Sequence, residues 1–197
     1  MPKQKITKEM VVNAAFEVAR AGGMEQVLVK AIAERLGCSV QPIYSYCKNM
    51  EGLRSDVAEC ASRFVQEYVA SRIDKSDLFR STGRAYVRLA KEEPHILKMF
   101  LFRERKNITS LEELYQSETN PQMAQAISEG LGVSMEQAKD LHLNMLIYTI
   151  GIGTLFSVTS PGIPADEIYE QQERAYRIFL KDALEEEKDE PKDIGDV

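Results

Sequence analysis

Side chains able to do covalent or metal chemistry are scarce in this 197-residue sequence. There are two histidines, His95 and His142, and three cysteines, Cys38, Cys47 and Cys60. The cysteines are odd in number and lack the close pairs of a zinc site, so reduced thiols are the plain reading. Cys38 and Cys47 fall at apolar positions and read as packing groups. Glu92-x-x-His95 has the spacing of a di-iron ligand pair, but Pro94 interrupts it and there is no second copy. Gly151-x-Gly153 lies inside a helical pattern with no strand before it, so it reads as a place where another helix approaches closely, not as a nucleotide fingerprint. No Ser/His/Asp or Cys/His arrangement and no Gly-rich phosphate loop is visible. The sequence thus offers no catalytic residue, metal ligand or cofactor site. A helical-bundle enzyme or carrier would have to declare itself by turnover or a bound metal.

What the residues do suggest is recognition. Two short helical segments joined by a tight turn containing Gly make a helix-turn-helix. Close packing of the pair needs a small residue in the first, a residue permitting the turn, and apolar plugs from both. Over Val29–Tyr46 the small residue is Ala33 and the turn residue Gly37, with Ile32, Leu36, Cys38, Ile43 and Tyr46 as plugs. A second helix so placed lies in the major groove with its N-terminal residues near base edges. There Gln41 can pair with adenine, Ser45 is short and adaptable, and Pro42 can only make apolar contact, for instance with a thymine methyl.

The elements around this pair read as helix nearly throughout, and the expected class is all-α. Thr7 is a possible N-cap for a first helix to Arg20, ended by Gly22-Gly23. Ser39 sits at the N-cap position of the reading helix, and Asn49 at that of a fourth, with Leu53, Val57, Cys60, Ala61, Phe64 and Tyr68 on one side. After Asp74–Asp77 a helix runs to about Glu92; Arg80, Arg84 and Arg88 share one face of it, read as solvated. A shorter apolar piece, Ile96–Phe102, follows, and residues 103–133 hold one or two modest helices. Met135 to about Thr159 is a long helix, apolar nearly all round in its second half, which must be covered on most sides. Ala165–Leu184 is amphipathic, with Ile168, Gln172, Ala175, Tyr176, Phe179, Leu180 and Ala183 on one seam. From Glu185 periodicity is lost, and the segment reads as an acidic, disordered tail.

On the runs Lys30-Ala31-Ile32-Ala33-Glu34-Arg35-Leu36-Gly37-Cys38-Ser39 and Ile43-Tyr44-Ser45-Tyr46-Cys47-Lys48-Asn49-Met50-Glu51-Gly52-Leu53, the chain resembles the TetR (tetracycline-repressor-like) family of bacterial transcription regulators. The motif resemblance covers about residues 6–65. It implies an N-terminal three-helix DNA-binding domain over residues 1–50 and a helical effector-binding and dimerisation domain over 51–184. It also places Ser39, Tyr44, Tyr46 and Lys48 to hold phosphates; Tyr46 is equally placed as a core aromatic. Val27-Leu28 stands where family members often carry Thr or Ser, and Met50 where many have Lys, leaving Lys48 or Lys30 to supply the phosphate contacts. Lys3 and Lys5 would follow the adjacent backbone as an arm. The resemblance further implies a homodimer through helices 135–159 and 165–184, on a palindromic double-stranded operator. A small, largely apolar effector would enter a core whose candidate lining is Tyr86, Met99, Phe102, Tyr115, Met123, His142, Met145, Tyr148, Thr149 and Phe156, with Phe79 and Phe100 beside them.

Charge fits this layout only when divided. The whole chain is −6, which by itself argues against phosphate binding. Residues 1–50 alone are +3 and residues 185–197 are −5. The polar N-terminus carries no apolar signal core, and Leu143–Ser160 is short of the ~20 apolar residues of a spanning helix. The expectation is a cytoplasmic, ligand-responsive repressor without a membrane partner. The alternative is a TetR-like accessory or nucleoid factor that binds DNA constitutively and recruits a protein partner.

Overall fold

Local chemistry sets where each helix starts and stops. The structure, a computed structural model, describes residues 6–46, 49–74, 77–159 and 162–185. Lys3, Lys5, Cys47, Lys48 and the tail from residue 186 lie outside the described residues. Every regular element among those described is helical, with no strand.

Helix α1, Lys8–Gly22, begins where the Thr7 hydroxyl accepts the Met10 amide at 3.2 Å, satisfying one of the unpaired N–H groups of the first turn. Gly23 ends it at φ 95°, and a single 3₁₀ turn, Met24–Gln26, leads to α2, Val29–Leu36. Leu28 occupies the N-cap of α2 with no side-chain cap, and it is exposed, whereas Val27 is fully buried. Gly37 closes α2 in the left-handed region (φ 61°, ψ 34°), and the Cys38 amide returns to the Ala33 carbonyl at 3.0 Å. A Cβ at Gly37 would meet nothing within 4 Å, so glycine is needed there for its backbone conformation and not for space.

Helix α3, Gln41–Tyr46, starts later than a Ser39 cap would place it. The Val40 carbonyl receives the amides of Ile43 and Tyr44, so the N-cap position passes to Val40. Asn49 caps α4, Met50–Ala70, through the Gly52 amide at 2.7 Å. Then follow α5 (Leu78–Glu92), α6 (Pro94–Leu101), α7 (Leu111–Glu118), α8 (Pro121–Leu131), α9 (Met135–Val158) and α10 (Ala165–Glu185).

The chain forms two compact units: Met1–Lys75 with Arg88–Glu104, and Ser76–Val87 with Arg105–Val197. The first contains α1 to α4, the end of α5, and α6, which packs on α1 and α4. Its core is Val11, Ala15, Ala19, Val27, Ile32, Ile43, Leu53 and Val57. The second is built on α8 against α9 and α9 against α10, with a core of Ile127, Leu141, Met145, Ala175, Tyr176 and Ala183. The expected seam of α10 is the buried one at Ile168, Gln172, Ala175, Tyr176 and Ala183.

By length and composition alone α9 could cross a membrane, although the uncharged count began only at Leu143. Only 28% of its most apolar stretch is buried within the chain. Leu155 and Val158 stand 67% and 73% exposed, and Ile147 on α9 and Ile178 on α10 are exposed as well.

Candidate nucleic-acid interface and effector core

The helix-turn-helix is assembled from the inside. Ile32 and Ala33 of α2 and Ile43 of α3 are buried together, and Leu36, Cys38 and Tyr46 pack against that cluster. Burying Ile43 fixes the rotation of α3, because neighbours one position away on a helix cannot share its face. Val40, Gln41, Tyr44 and Ser45 are left exposed, Tyr44 at 63%. Ser39 and Lys30 are exposed, Lys30 on α2. Pro42 is half-buried beside Ile43, and Tyr46 is half-buried against the core. Ser45 donates its hydroxyl hydrogen to the Gln41 carbonyl at 3.2 Å. The bond is local to α3 and leaves the hydroxyl oxygen exposed.

Charged ties hold other parts of this unit. Arg20 on α1 grips the Glu93 carboxylate with two nitrogens, Nε to Oε2 at 2.9 Å and Nη2 to Oε1, just before α6 begins. Glu93 raises the Arg20 pKa in return. The Tyr68 hydroxyl donates to Glu92 Oε2 at 2.5 Å, while the Arg72 guanidinium lies 3.5 Å over the Tyr68 ring. Burial, then the Glu92 carboxylate, pushes the Tyr68 phenol up to about 12.

Met99 and Phe102, expected in an effector pocket, belong to the first unit. Met99 packs against the core of α1 to α4, and Phe102, capping α6, is 70% exposed. Tyr86, Tyr115, Met123, His142, Met145, Tyr148, Thr149 and Phe156 belong to the second. There the Tyr115 hydroxyl and His142 Nδ1 are 2.9 Å apart, and the rings of Tyr115 and Phe79 stand edge-on to the imidazole at 5.4 and 5.9 Å. This apolar surround disfavours the charged ring and lowers the His142 pKa to about 4, so the imidazole is neutral at pH 7. Met123, Met145 and Tyr148 join the same core, Tyr148 with its ring 6.5 Å from that of Phe179. Thr149 and Phe156 are buried and Tyr86 is half-buried.

Three features here were not read from the sequence. Gln172, buried on α10, donates to the Gly83 carbonyl at 3.3 Å and to the Thr149 hydroxyl at 3.4 Å. Arg80, on the face read as solvated, is paired: it binds Glu173 through Nε (2.8 Å) and Nη2 (3.0 Å) and lies 4.7 Å over the Tyr176 ring. Arg105 meets Glu118, which is almost fully buried, at 2.6 Å. The only advance signal was Gln172 on an otherwise apolar seam. Around it opens a narrow, half-open cleft of about 20 Å³, lined by Phe79, Gly83, Met145, Tyr169, Gln172 and Tyr176, with Arg80, Arg84 and Glu173 at its charged side. Among the described residues no group of three or more His, Cys, Asp or Glu could hold a metal ion.

No family model matches this chain, and no curated protein sequence matches it. Solved structures do. A transcriptional regulator from Rhodococcus sp. Rha1 is similar with a TM-score of 0.52 at 16% identity, over 91% of this chain and 97% of that one. The fatty acid degradation regulator FadR from Bacillus halodurans is similar with a TM-score of 0.50 at 15% identity, over 88% and 98%. At such identities the likeness is one of fold, and the chain has the all-helical fold of these regulator structures.

Proposed function

We propose that this chain is a cytoplasmic, TetR-like transcriptional repressor that binds a palindromic operator as a homodimer and is released by a small, largely apolar effector. The observation that carries the reading is the exposed face of α3, held outward by buried Ile43 behind the left-handed turn at Gly37. Residues 1–50 would read DNA, with Gln41 and Ser45 toward bases and Ser39, Tyr44, Lys30 and Lys48 on phosphates. Residues 51–184 would bind the effector and dimerise, and the acidic remainder would limit nonspecific adhesion. The fold shared with two regulators of transcription, one of fatty acid degradation, supports the class. Ile147, Leu155, Val158 and Ile178 would be the surface on which helices α9 and α10 meet their copies. An effector acts only through unequal affinity for the binding and non-binding states of the dimer. The cleft beside Gln172 has both apolar walls and hydrogen-bonding groups but encloses only about 20 Å³, so an effector entering there would have to part the side chains around it.

The test is fluorescence anisotropy on the flanking intergenic DNA over a salt series. Specific binding should weaken with salt, and Tyr44→Ala should lower affinity about tenfold, roughly 1.4 kcal/mol, with its helical circular dichroism unchanged. Binding that never exceeds that of random DNA defeats the proposal.

A second reading, a constitutive DNA-binding factor that recruits a protein partner, draws support from the way Tyr115 and Phe79 already fill the space around His142. In that case the apolar face of α9 would receive a different protein. Sedimentation separates the two: a dimer at micromolar concentration favours the repressor, a monomer the recruiter.

A further inference from the structure

We propose that the cleft around Gln172 takes a small aromatic carboxylate that also carries a hydroxyl: the ring lies against Phe79, Tyr169 and Tyr176, the hydroxyl donates to Gln172 Oε1, and the carboxylate meets Arg84. The inference rests on the effector-binding reading above and names the chemical class of the effector at that site.

Two polar groups of the cleft have no protein partner, although Gln172 and Tyr176 are each only 6% exposed. The Gln172 amide is held one way round. The Gly83 carbonyl can only accept, so Nε2 must face it, and Thr149 meets the same nitrogen. A Cβ on Gly83 would stand 3.4 Å from Nε2, so the glycine is what lets the amide approach α5. Oε1 is left without a donor among the described residues, and the Tyr176 hydroxyl without a partner. Neither is sealed in, because no fully buried side-chain nitrogen or oxygen among those residues lacks a partner. The opening that both residues line is the cleft. Its space of about 20 Å³ matches one water-sized group such as a hydroxyl. Room for a ring would come from Met145, which is unbranched and adaptable, and from half-buried Tyr169.

Charge selects the other end of the ligand. Arg80 occupies both oxygens of Glu173. Glu173 is held below the usual carboxylate range by Arg80 first, and by the charges of Arg177 and Arg84 as well. Asp77 stands 3.6 Å from Arg80. Three arginines against two carboxylates leave one positive charge, so this side of the cleft suits a monoanion and repels a cation. Arg84, exposed at the cleft, holds no carboxylate of its own among the described residues. Its planar fork matches a carboxylate. The walls favour a ring: those of Phe79 and Tyr176 already lie 5.0 Å apart, the spacing of an aromatic pair.

The experiment titrates the full-length protein calorimetrically with 3- and 4-hydroxybenzoate, benzoate, 4-hydroxybenzyl alcohol and 4-hydroxybenzylamine. One hydroxybenzoate should bind with a Kd on the order of 1 mM or tighter. Benzoate, lacking the hydroxyl, and the alcohol, lacking the carboxylate, should each bind about tenfold more weakly, the value of one hydrogen bond. The amine should bind weakest. Arg84→Gln should abolish the preference for carboxylate over alcohol. Gly83→Ala should weaken the hydroxybenzoate about tenfold by displacing the Gln172 amide, without lowering the melting temperature, since alanine is the better helix former. No saturable binding of either hydroxybenzoate at 5 mM, the amine binding tightest, or both variants binding as the natural chain does, overturns the proposal. The same ligand added to the protein–DNA complex separates the two readings. Binding with the expected discrimination but no release of DNA overturns the effector reading and leaves the site standing. Release that neither Arg84→Gln nor Gly83→Ala alters overturns the site and leaves the effector reading standing.

Discussion

In the first unit the buried side chains around Ile32, Ile43 and Val57 are aliphatic, and its polar ties, Arg20 to Glu93 and Tyr68 to Glu92, sit at the rim. In the second, the buried polar side chains are Gln137, Thr149 and Gln172, joined by the Tyr115–His142 pair and by Glu118 against Arg105. An aliphatic core is specified by volume and shape and tolerates little loss of either. A core holding polar groups is specified by pairing, since each buried donor or acceptor left alone costs about 1–3 kcal/mol. The first unit is thus suited to hold the proposed reading surface rigid. The second has internal bonds that could be exchanged for those of a guest.

The strongest way to break this contrast is at Ile43. Truncating Ile43→Ala should cost about 3 kcal/mol, within the range for buried Ile to Ala, and should remove the proposed DNA binding, because the rotation of α3 depends on it. Urea unfolding checks the first effect; a cost below about 1 kcal/mol would mean the aliphatic core is loose.

Acid should single out the second unit. His142 binds its proton near pH 4 when folded and near 6.5 when unfolded. Between those values the unfolded chain holds more protons, so stability falls as pH drops from about 6.5 towards 4 and is at its full value above that window. The loss attributable to His142 is at most about 3 kcal/mol. Denaturation midpoints across that window should slope less for His142→Gln than for the natural chain. Equal slopes would show that the imidazole is not held neutral by its surroundings.

The smallest effects should come from the two bidentate arginine pairs, which sharpen the comparison by matching geometry and differing in burial. Glu93 is 15% exposed and Glu173 33%, while both arginines stand near 40%. Glu93→Gln should cost about 1 kcal/mol and Glu173→Gln a few tenths, the second shrinking further in 0.5 M salt. Thermal melts of the two variants at low and high salt test this, and the reverse order would contradict it.

The first unit was legible because its instructions are local. Thr7, Gly37 and Asn49 each act within about four residues, and the plugs Ile32, Leu36, Cys38 and Ile43 are spaced along one short stretch. The reading failed at Ser39, where the choice of helix start depended on which carbonyl, that of Val40, met the amides of Ile43 and Tyr44. The second unit was legible as helices and as an α10 seam, but its polar pairing was not. Gln172 answers a carbonyl 89 residues away, Arg80 a carboxylate 93 away and Gln137 a carbonyl 46 away. No periodicity carries such distances. The resemblance likewise suggested Met99 and Phe102 for the effector core; Met99 packs on the core of α1 to α4 and Phe102 is exposed.

Gln137 joins the two ends of a helical hairpin. Its Oε1 accepts the Ser134 amide at 2.8 Å while Ser134 Oγ accepts the Gln137 amide, a reciprocal cap that starts α9; its Nε2 donates to the Ala183 carbonyl at 2.7 Å, near the end of α10. Fraying is usually a helix end's private affair, but here the last turn of α10 and the first of α9 share a single knot. A cut beyond residue 185 leaves the knot tied. A cut before Ala183 removes its acceptor and unties the beginning of the other helix, so that trimming the chain at one end is felt 46 residues upstream.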